Sequence, residues 1–207
     1  MKAQLQAVKR LVLASGNPGK IREIGELLSP FQFQVLSQSE LGIAEADEPH
    51  DTFLENALAK ARHASRAAGL PALADDSGLS VDALGGAPGV HSAYYAGREG
   101  DRDERDRRNN DKLLANLSDS RSAHYVCVMV LVQNAEDRNP LVAEGLWHGE
   151  IARAPRGANG FGYDPLFFIR PLNKTAAELD PGHKNRVSHR GIALQKLVAL
   201  LNESRRR

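Results

Sequence analysis

In Leu11-Val12-Leu13-Ala14-Ser15-Gly16-Asn17-Pro18-Gly19-Lys20, a short apolar strand leads directly into the start of a helix. Asn17 is a favoured N-cap residue and Pro18 suits the first helical position. The residues that follow place an apolar stripe at helical spacing, formed by Ile21, Ile24, Leu27 and Leu28. This stretch therefore predicts a buried strand followed at once by a helix, the beginning of an α/β fold.

The start of this helix is also a candidate anion site. Unpaired backbone N–H groups and the positive end of the helix dipole favour an anion, and Lys20 adds an ammonium group in the first turn. Phosphate is the ligand that fits. The stretch is not a Walker A loop, because only two residues separate Gly16 from Gly19 and Ile21 follows the lysine. A capped helix with a solvated lysine is the alternative.

Composition limits the classes of function. The chain has 207 residues, 42% of them hydrophobic, and a net charge of +1, so it can bury a sizeable core and offers no basic surface for sequence-independent nucleic-acid binding. The closing residues 205–207 are all arginine and are predicted to be a solvated tail, and Cys127 a small core residue. No apolar run approaches the ~20 residues that span a bilayer. We therefore expect a soluble, cytoplasmic protein with no membrane partner.

Strand and helix patterns alternate along the chain, which predicts an α/β fold with a mixed central sheet. The strand candidates after the first are residues 33–36, 72–74, 79–84, 123–133, 141–151 and 166–169. Helices are expected to start at Thr52, where a capping box with Glu55 is present, at Asp101 and at about Ser188. The strands at 123–133 and 141–151 form an antiparallel hairpin. No linker divides the chain, so we treat residues 1–207 as a single domain.

Asp75-Asp76-Ser77-Gly78 is the second informative stretch. We expect these carboxylates at a strand end before a glycine turn, where they suit Mg²⁺, which favours one or two carboxylates together with substrate phosphates. A plain turn cap is the alternative. Glu48, in an acidic loop, offers a further carboxylate. Lys60 shares one face of the second helix with Asn56 and His63, and taken alone is an ordinary surface lysine.

The loop Gly160-Phe161-Gly162-Tyr163-Asp164-Pro165 combines groups that suit a purine base. Glycine permits close backbone approach, an aromatic ring stacks, and a carboxylate accepts an N–H. A tight loop whose aromatics fill the core is the alternative. Lys184, His189 and Arg190 supply donors further along. The charged run 101–112 is predicted to be a solvated helix face, with pairs Asp101/Arg105, Asp103/Arg107 and Glu104/Arg108. No zinc-ligand spacing and no G-x-S-x-G elbow is present.

Taken in order, these segments resemble the inosine triphosphate/xanthosine triphosphate pyrophosphatase family, the dITP/XTP nucleotide diphosphatases. The resemblance covers about residues 10 to 201. It rests on residues 15–20, 53–57 with 60–61, 74–78 with 84–90, 160–165 and 188–191. It implies an elongated α/β fold of two lobes with a substrate cleft between them, a homodimer, and Mg²⁺-dependent conversion of ITP, dITP and XTP to the monophosphate and pyrophosphate.

The resemblance also implies roles for individual residues. Asp76 is the general base and a metal ligand, and Glu48 is the other metal-binding acid, although Asp47 beside it is hard to distinguish. The implied substrate-binding residues are Ser15, Gly16, Asn17, Pro18, Gly19, Lys20, Lys60, Ser77, Phe161, Gly162, Tyr163, Asp164, Lys184, His189 and Arg190. Among them, His189, Arg190 or Lys184 would donate to O6 of the base, and Asp164 or a loop carbonyl would accept from N1–H.

Two other functions are compatible with the sequence. A pyrophosphatase of the similarly folded Maf-type group would act on pyrimidine or modified nucleotides, and residues 160–165 and 188–191 argue against it. A nucleotide-sensing module would bind without turnover, and the joint presence of Asp76, Glu48 and Lys20 disfavours it, because a sensor needs no base. Pyrophosphate release measured across a panel of nucleotides separates the three.

Overall fold

The computed structural model describes residues 9–31 and 33–204; the predicted arginine tail at 205–207 lies outside this range. Helices and strands alternate, as the sequence predicts. In chain order they are β1 (Lys9–Leu13), α1 (Pro18–Leu28), β2 (Phe33–Ser37), α2 (Phe53–Ala68), β3 (Ala72–Val81), α3 (Arg102–Asn116), β4 (Ser122–Val132), β5 (Leu141–Ile151), β6 (Phe167–Ile169), β7 (Lys174–Thr175), α4 (Pro181–Val187) and α5 (His189–Ser204). Within the described ranges, no helix is long and apolar enough to cross a membrane.

The strands form one mixed sheet, which confirms the predicted fold class. The order across its seven strands is β2-β1-β3-β4-β5-β6-β7. β1 runs parallel to β2 and β3, and every other neighbouring pair is antiparallel. The hairpin predicted for the middle of the chain is β4–β5, paired from Ser122↔Glu150 to Leu131↔Leu141.

Alternation along β1 decides which helices cover each face of the sheet. Leu11 and Leu13 point into a cluster with residues of α1 and α5, such as Ile24 and Leu197. Val12 and Ala14 point the other way, into a cluster with the alanines of α2. Because side chains of a strand alternate between its faces, one short strand is buried on both sides. The loop that follows it is therefore fixed between two packed layers.

β3 differs from the prediction. We expected two strands separated by a turn at Asp75–Gly78, but β3 is continuous and pairs with β4 from Ala72↔Val132 to Val81↔Ala123. On its other side β3 pairs with β1 through Ala72 and Leu73 alone, because β1 ends at that point. The two aspartates thus lie within a strand, at the point where the adjacent parallel strand stops.

The helix starts are largely as predicted. Asn17 caps α1, because its side-chain oxygen accepts from the backbone N–H groups of Gly19 and Lys20 at 2.9 and 3.2 Å. Thr52 caps α2 through the N–H of Glu55 at 3.2 Å. On α3 the expected i,i+4 pairs are wrong: Asp101 is the N-cap and forms a capping box with Glu104, so these side chains serve the helix end.

Candidate active site

A cavity of about 680 Å³ opens beside the loop that follows β1. Fifteen of the seventeen residues that the resemblance assigns to a site line it. They are Ser15, Gly16, Asn17, Lys20, Glu48, Lys60, Asp76, Ser77, Phe161, Gly162, Tyr163, Asp164, Lys184, His189 and Arg190. Pro18 and Gly19 do not line it. Gly19 is instead where the loop meets the ring of Phe161, since a Cβ there would lie 2.6 Å from that ring.

The two adjacent aspartates point to opposite faces of β3. Asp75 lies on the face covered by α1 and α5, where it pairs with Lys20 at 3.0 Å and with Arg190 at 3.4 Å. Asp76 lies on the α2 face and pairs with Lys60 at 2.8 Å. Successive side chains of a β-strand point to opposite faces of the sheet, which accounts for this separation. Each carboxylate consequently has a cation of its own.

Lys60 joins two carboxylates from different parts of the chain. Its Nζ lies 2.8 Å from Asp76 and 2.6 Å from Glu48, and its side chain is only 11% exposed, so it is not an ordinary surface lysine. Burial opposes the charge, but the two carboxylates raise the pKa of Lys60 above its usual value. For Asp76 burial dominates and raises the pKa of the carboxyl, although Lys60 acts in the other direction.

The rest of the polar face of α2 holds the acidic loop in place. The Asn56 side chain accepts from the N–H of His50 and donates to its carbonyl, both at 3.0 Å. His63 lies 2.9 Å from the carbonyl oxygen of Ala44. The loop that carries Glu48 is therefore hydrogen-bonded at two points to α2, the helix that also carries Lys60.

The residues present fit a hard divalent cation. Glu48 and Asp76 each place a carboxylate oxygen within hydrogen-bond distance of one nitrogen, so their oxygens converge. Oδ1 of Asp75 is buried with no hydrogen-bond partner. Among residues 9–31 and 33–204, no group of three or more His, Cys, Asp or Glu side chains is arranged to hold a metal. Two carboxylates completed by substrate phosphates are what Mg²⁺ accepts.

The phosphate-loop prediction needs one correction. The first-turn N–H groups of Gly19 and Lys20 are not free, because Asn17 already accepts from them, and the N–H of Asn17 itself donates to Ser15 Oγ at 3.2 Å. The N-cap Asn17 thus occupies the backbone N–H groups that were expected to bind an anion. The attraction left for phosphate comes from Lys20 and the helix dipole.

At the other end of the cavity lies a buried ionic network. Lys184 pairs with Asp164 at 2.6 Å and with Glu23 at 2.9 Å, and Glu23 also pairs with Arg190. Burial raises the pKa of Glu23, but Arg190 and Lys184 outweigh it and hold that pKa below its usual value. Arg190 further donates to Ser77 Oγ at 3.0 Å. These groups are held in fixed positions before any ligand arrives.

His189 stacks on a tyrosine from β4. The rings of His189 and Tyr125 lie 4.5 Å apart at an angle of 8°. Burial, reinforced by Arg190 and Lys184, lowers the pKa of His189 well below its usual range, so the ring is neutral near pH 7. Its Nδ1 is buried without a partner, as is Nε of Arg190. These two atoms therefore keep an unused hydrogen-bonding capacity beside the cavity.

The two aromatic residues of the loop 160–165 have different surroundings. Tyr163 is buried in the core and its hydroxyl donates to the carbonyl of Ser92 at 2.9 Å. Phe161 is half-buried at the cavity, with Lys184 Nζ 4.9 Å and the guanidinium carbon of Arg190 5.7 Å from its ring centroid. The ring available for stacking on a base is therefore that of Phe161.

A family model described as Ham1 family matches residues 11–200. The chain belongs to the Ham1 family.

The relatives cover nearly the whole chain. A dITP/XTP pyrophosphatase of Burkholderia pseudomallei (strain K96243) is 60% identical over 201 residues, 96% of each protein, and one of Ralstonia nicotianae is 58% identical over 94% of this chain and 97% of the relative. Among solved structures, a HAM1 protein from Coxiella burnetii has a TM-score of 0.84 at 48% identity, covering 94% of this chain and 99% of the other. The resemblance identified from sequence is confirmed.

Several residues that line the cavity of this Ham1 protein, or pair with residues that line it, were missed from sequence. Glu23 lies three residues after Lys20 on one face of α1, which was a readable signal for a shared site. Tyr125 was hidden in an apolar strand. Arg98, Arg102 and Arg105 also line the cavity, although Arg102 and Arg105 belong to the charged run 101–112 that was predicted to be a solvated face.

Proposed function

We propose that this chain is a Mg²⁺-dependent pyrophosphohydrolase that converts ITP, dITP and XTP to the monophosphate and pyrophosphate, and so keeps deaminated purines out of nucleic acids. The observation that carries the proposal is the convergence of Asp76 and Glu48 on Lys60, at 2.8 and 2.6 Å. The same cavity contains buried hydrogen-bond donors at its other end. The relatives named dITP/XTP pyrophosphatase support the substrate class.

The cluster of Asp76, Glu48 and Lys60 performs the chemistry. Asp76 takes a proton from a water, whose oxygen attacks the α-phosphorus; the bond from that phosphorus to the bridging oxygen breaks and pyrophosphate leaves. Lys60 and Lys20 stabilise the charge that develops on the phosphate oxygens. Mg²⁺, held by Glu48 and Asp76, supplies further stabilisation of that charge when bound.

The buried network performs the selection. Hypoxanthine and xanthine present an acceptor at O6 and a donor at N1, the reverse of adenine. Arg190, Lys184 and neutral His189 are donors, and Asp164 is an acceptor buried at 2% exposure. Adenine would set its own N–H donor against these donors and its own acceptor against Asp164, and each such mismatch costs on the order of 1–3 kcal/mol. Phe161 stacks on the ring.

The test is pyrophosphate release from eight purine and pyrimidine nucleoside triphosphates, with and without Mg²⁺. We expect kcat/KM for ITP, dITP and XTP to exceed that for ATP by roughly a hundredfold, the size of two such mismatches. Removal of Mg²⁺ should abolish turnover. Preference for pyrimidine nucleotides would indicate Maf-type activity, and binding of ITP without turnover would indicate a sensor; either outcome contradicts the proposal. The homodimer and the cytoplasmic location stay predictions.

A further inference from the structure

The cavity has a charged wall to which neither the resemblance nor the proposed chemistry assigns a role. Arg98 follows the 3₁₀ segment Gly89–Tyr94, and Arg102 and Arg105 lie on the first turn of α3; all three line the cavity. The prediction of a solvated helix face is wrong for Arg102 and Arg105, which are half-buried. It holds for Asp103, Glu104 and Arg107, which are exposed and do not line the cavity.

Among the described residues Arg98 and Arg105 form no salt bridge, although the Asp106 carboxylate interacts electrostatically with Arg102 and Arg105. The other cations of the cavity each have carboxylate partners, namely Lys20 with Asp75, Lys60 with Asp76 and Glu48, Lys184 with Glu23 and Asp164, and Arg190 with Glu23 and Asp75. Within the described part of the chain, no carboxylate lies at salt-bridge distance from Arg98 or Arg105, and Arg102 has only Asp106, at 3.9 Å.

One aromatic ring orients the two unpaired arginines. The guanidinium carbon of Arg98 lies 4.2 Å from the ring centroid of Tyr94, and that of Arg105 lies 5.7 Å from the same centroid. Arg105 also donates one N–H to the carbonyl of Gly100 at 2.7 Å. Contact with a ring face leaves the N–H edges of a guanidinium free to bind an anion. Arg102 instead faces Phe161, 5.1 Å from its ring centroid.

We propose that Arg98 and Arg105 bind the terminal phosphates of the nucleoside triphosphate, the part that leaves as pyrophosphate. This inference rests on the proposed function. A planar guanidinium matches two phosphate oxygens at once, and an arginine without a salt-bridge partner gains most from the most anionic part of the substrate. The uncharged base gains little from it, and its donors and acceptors already have counterparts in the buried network. Arg98 and Arg105 therefore set affinity for the polyphosphate chain, whatever base it carries.

The experiment uses inorganic tripolyphosphate, which carries the charge of the substrate without a base. Its binding to the full chain in the presence of Mg²⁺ is measured by calorimetry for wild type, the Arg98→Ala/Arg105→Ala double variant and the control Arg107→Ala, an exposed arginine of the same helix. We expect the double variant to bind at least tenfold more weakly, and Arg107→Ala to stay within twofold of wild type. An Arg98→Lys/Arg105→Lys variant should recover part of the loss.

Steady-state kinetics add a second readout. KM for ITP and for ATP should rise by the same factor in the double variant, with their kcat/KM ratio unchanged. Tripolyphosphate binding equal to that of Arg107→Ala overturns the inference, as does a changed ITP/ATP ratio with tripolyphosphate affinity intact. Failure of the proposed function looks different: wild type would hydrolyse no nucleoside triphosphate, while the arginine-dependent loss of tripolyphosphate binding would persist.

Discussion

Asp75 and Asp76 are neighbours in the chain and have opposite electrostatic environments. Burial opposes the charge of both, but Lys20 and Arg190 overcome it at Asp75 and hold the pKa of that carboxyl far below its usual value. At Asp76 the same penalty is only partly offset by Lys60, and the pKa is raised. Asp75 is therefore held in its ionised form, whereas the ionised form of Asp76 is costly unless a further cation binds.

This difference separates architecture from chemistry. Asp75 belongs to a set of buried ions that also includes Glu23, Arg190 and Lys184, and it connects β3 to α1 and α5. Asp76 faces the more open acidic loop, where Glu48 is 37% exposed at its side chain. Removing the charge at each position should therefore produce different losses: turnover for Asp76 and stability for Asp75.

The largest expected effect is that of Asp76→Asn on turnover. The amide cannot accept the proton from water, so kcat should fall by about 10²–10⁴, the usual contribution of a positioned base. The melting temperature should stay within a few degrees, because Lys60 keeps Glu48 as a partner and an unfavourable buried charge is removed. Turnover at saturating Mg²⁺ and the thermal melt are measured together. Near-normal turnover would show that Asp76 is not the base.

Asp75→Asn should give the reverse pattern. Arg190, 1% exposed, and Lys20 lose a charged partner, and breaking a buried pair in this way costs about 3–5 kcal/mol. For a chain of this length that corresponds to a fall of roughly 10 °C in melting temperature. Turnover of the folded variant, measured well below its melting temperature, should change by less than tenfold. A loss of turnover as large as that of Asp76→Asn, with an unchanged melt, would mean that the two roles are exchanged.

The sequence predicted best those features that depend on residues close together in the chain. The cap at Asn17, the apolar stripe of α1 and the β4–β5 hairpin depend on residues a few positions apart, and all three are present. The residues of the predicted motifs also line one cavity, apart from Pro18 and Gly19. Local pattern failed at β3, because Asp75–Gly78 resembles a turn in isolation and becomes a strand only through its pairing with β4.

The buried network lay beyond local pattern for the same reason. Glu23 reaches Lys184 and Arg190 across 161 and 167 residues of chain, so no spacing rule connects them. The arginines at the start of α3 were misjudged because a balanced charged helix is usually solvated. Their orientation toward the cavity follows from the docking of α3, where Asp106 accepts from the N–H of Gly162 at 2.8 Å.

The smallest expected effect is a dependence of stability on pH, and it tests whether the Asp75 side of the comparison is held by charge. Lys184 from α4 and Arg190 from α5 face Glu23 and lower its pKa below the ordinary value of 4.5. A carboxyl with a lowered pKa contributes stability that is complete above its unfolded pKa and is lost as pH falls through its folded pKa.

We therefore compare the free energy of unfolding of wild type and Glu23→Gln by urea titration from pH 7 to pH 3. The gap between them should be constant down to about pH 5 and should then shrink steadily as the pH falls to 3. The titration of Asp75 is common to wild type and Glu23→Gln, so to a first approximation it cancels from the gap. The control is Glu26→Gln, because Glu26 is an exposed residue of α1 that accepts a hydrogen bond from Asn185 of α4 at 2.7 Å and forms no salt bridge among the described residues. A gap for Glu23→Gln that is also constant to pH 3 would mean that shape and hydrogen bonding, rather than charge, connect α1 to α4 and α5.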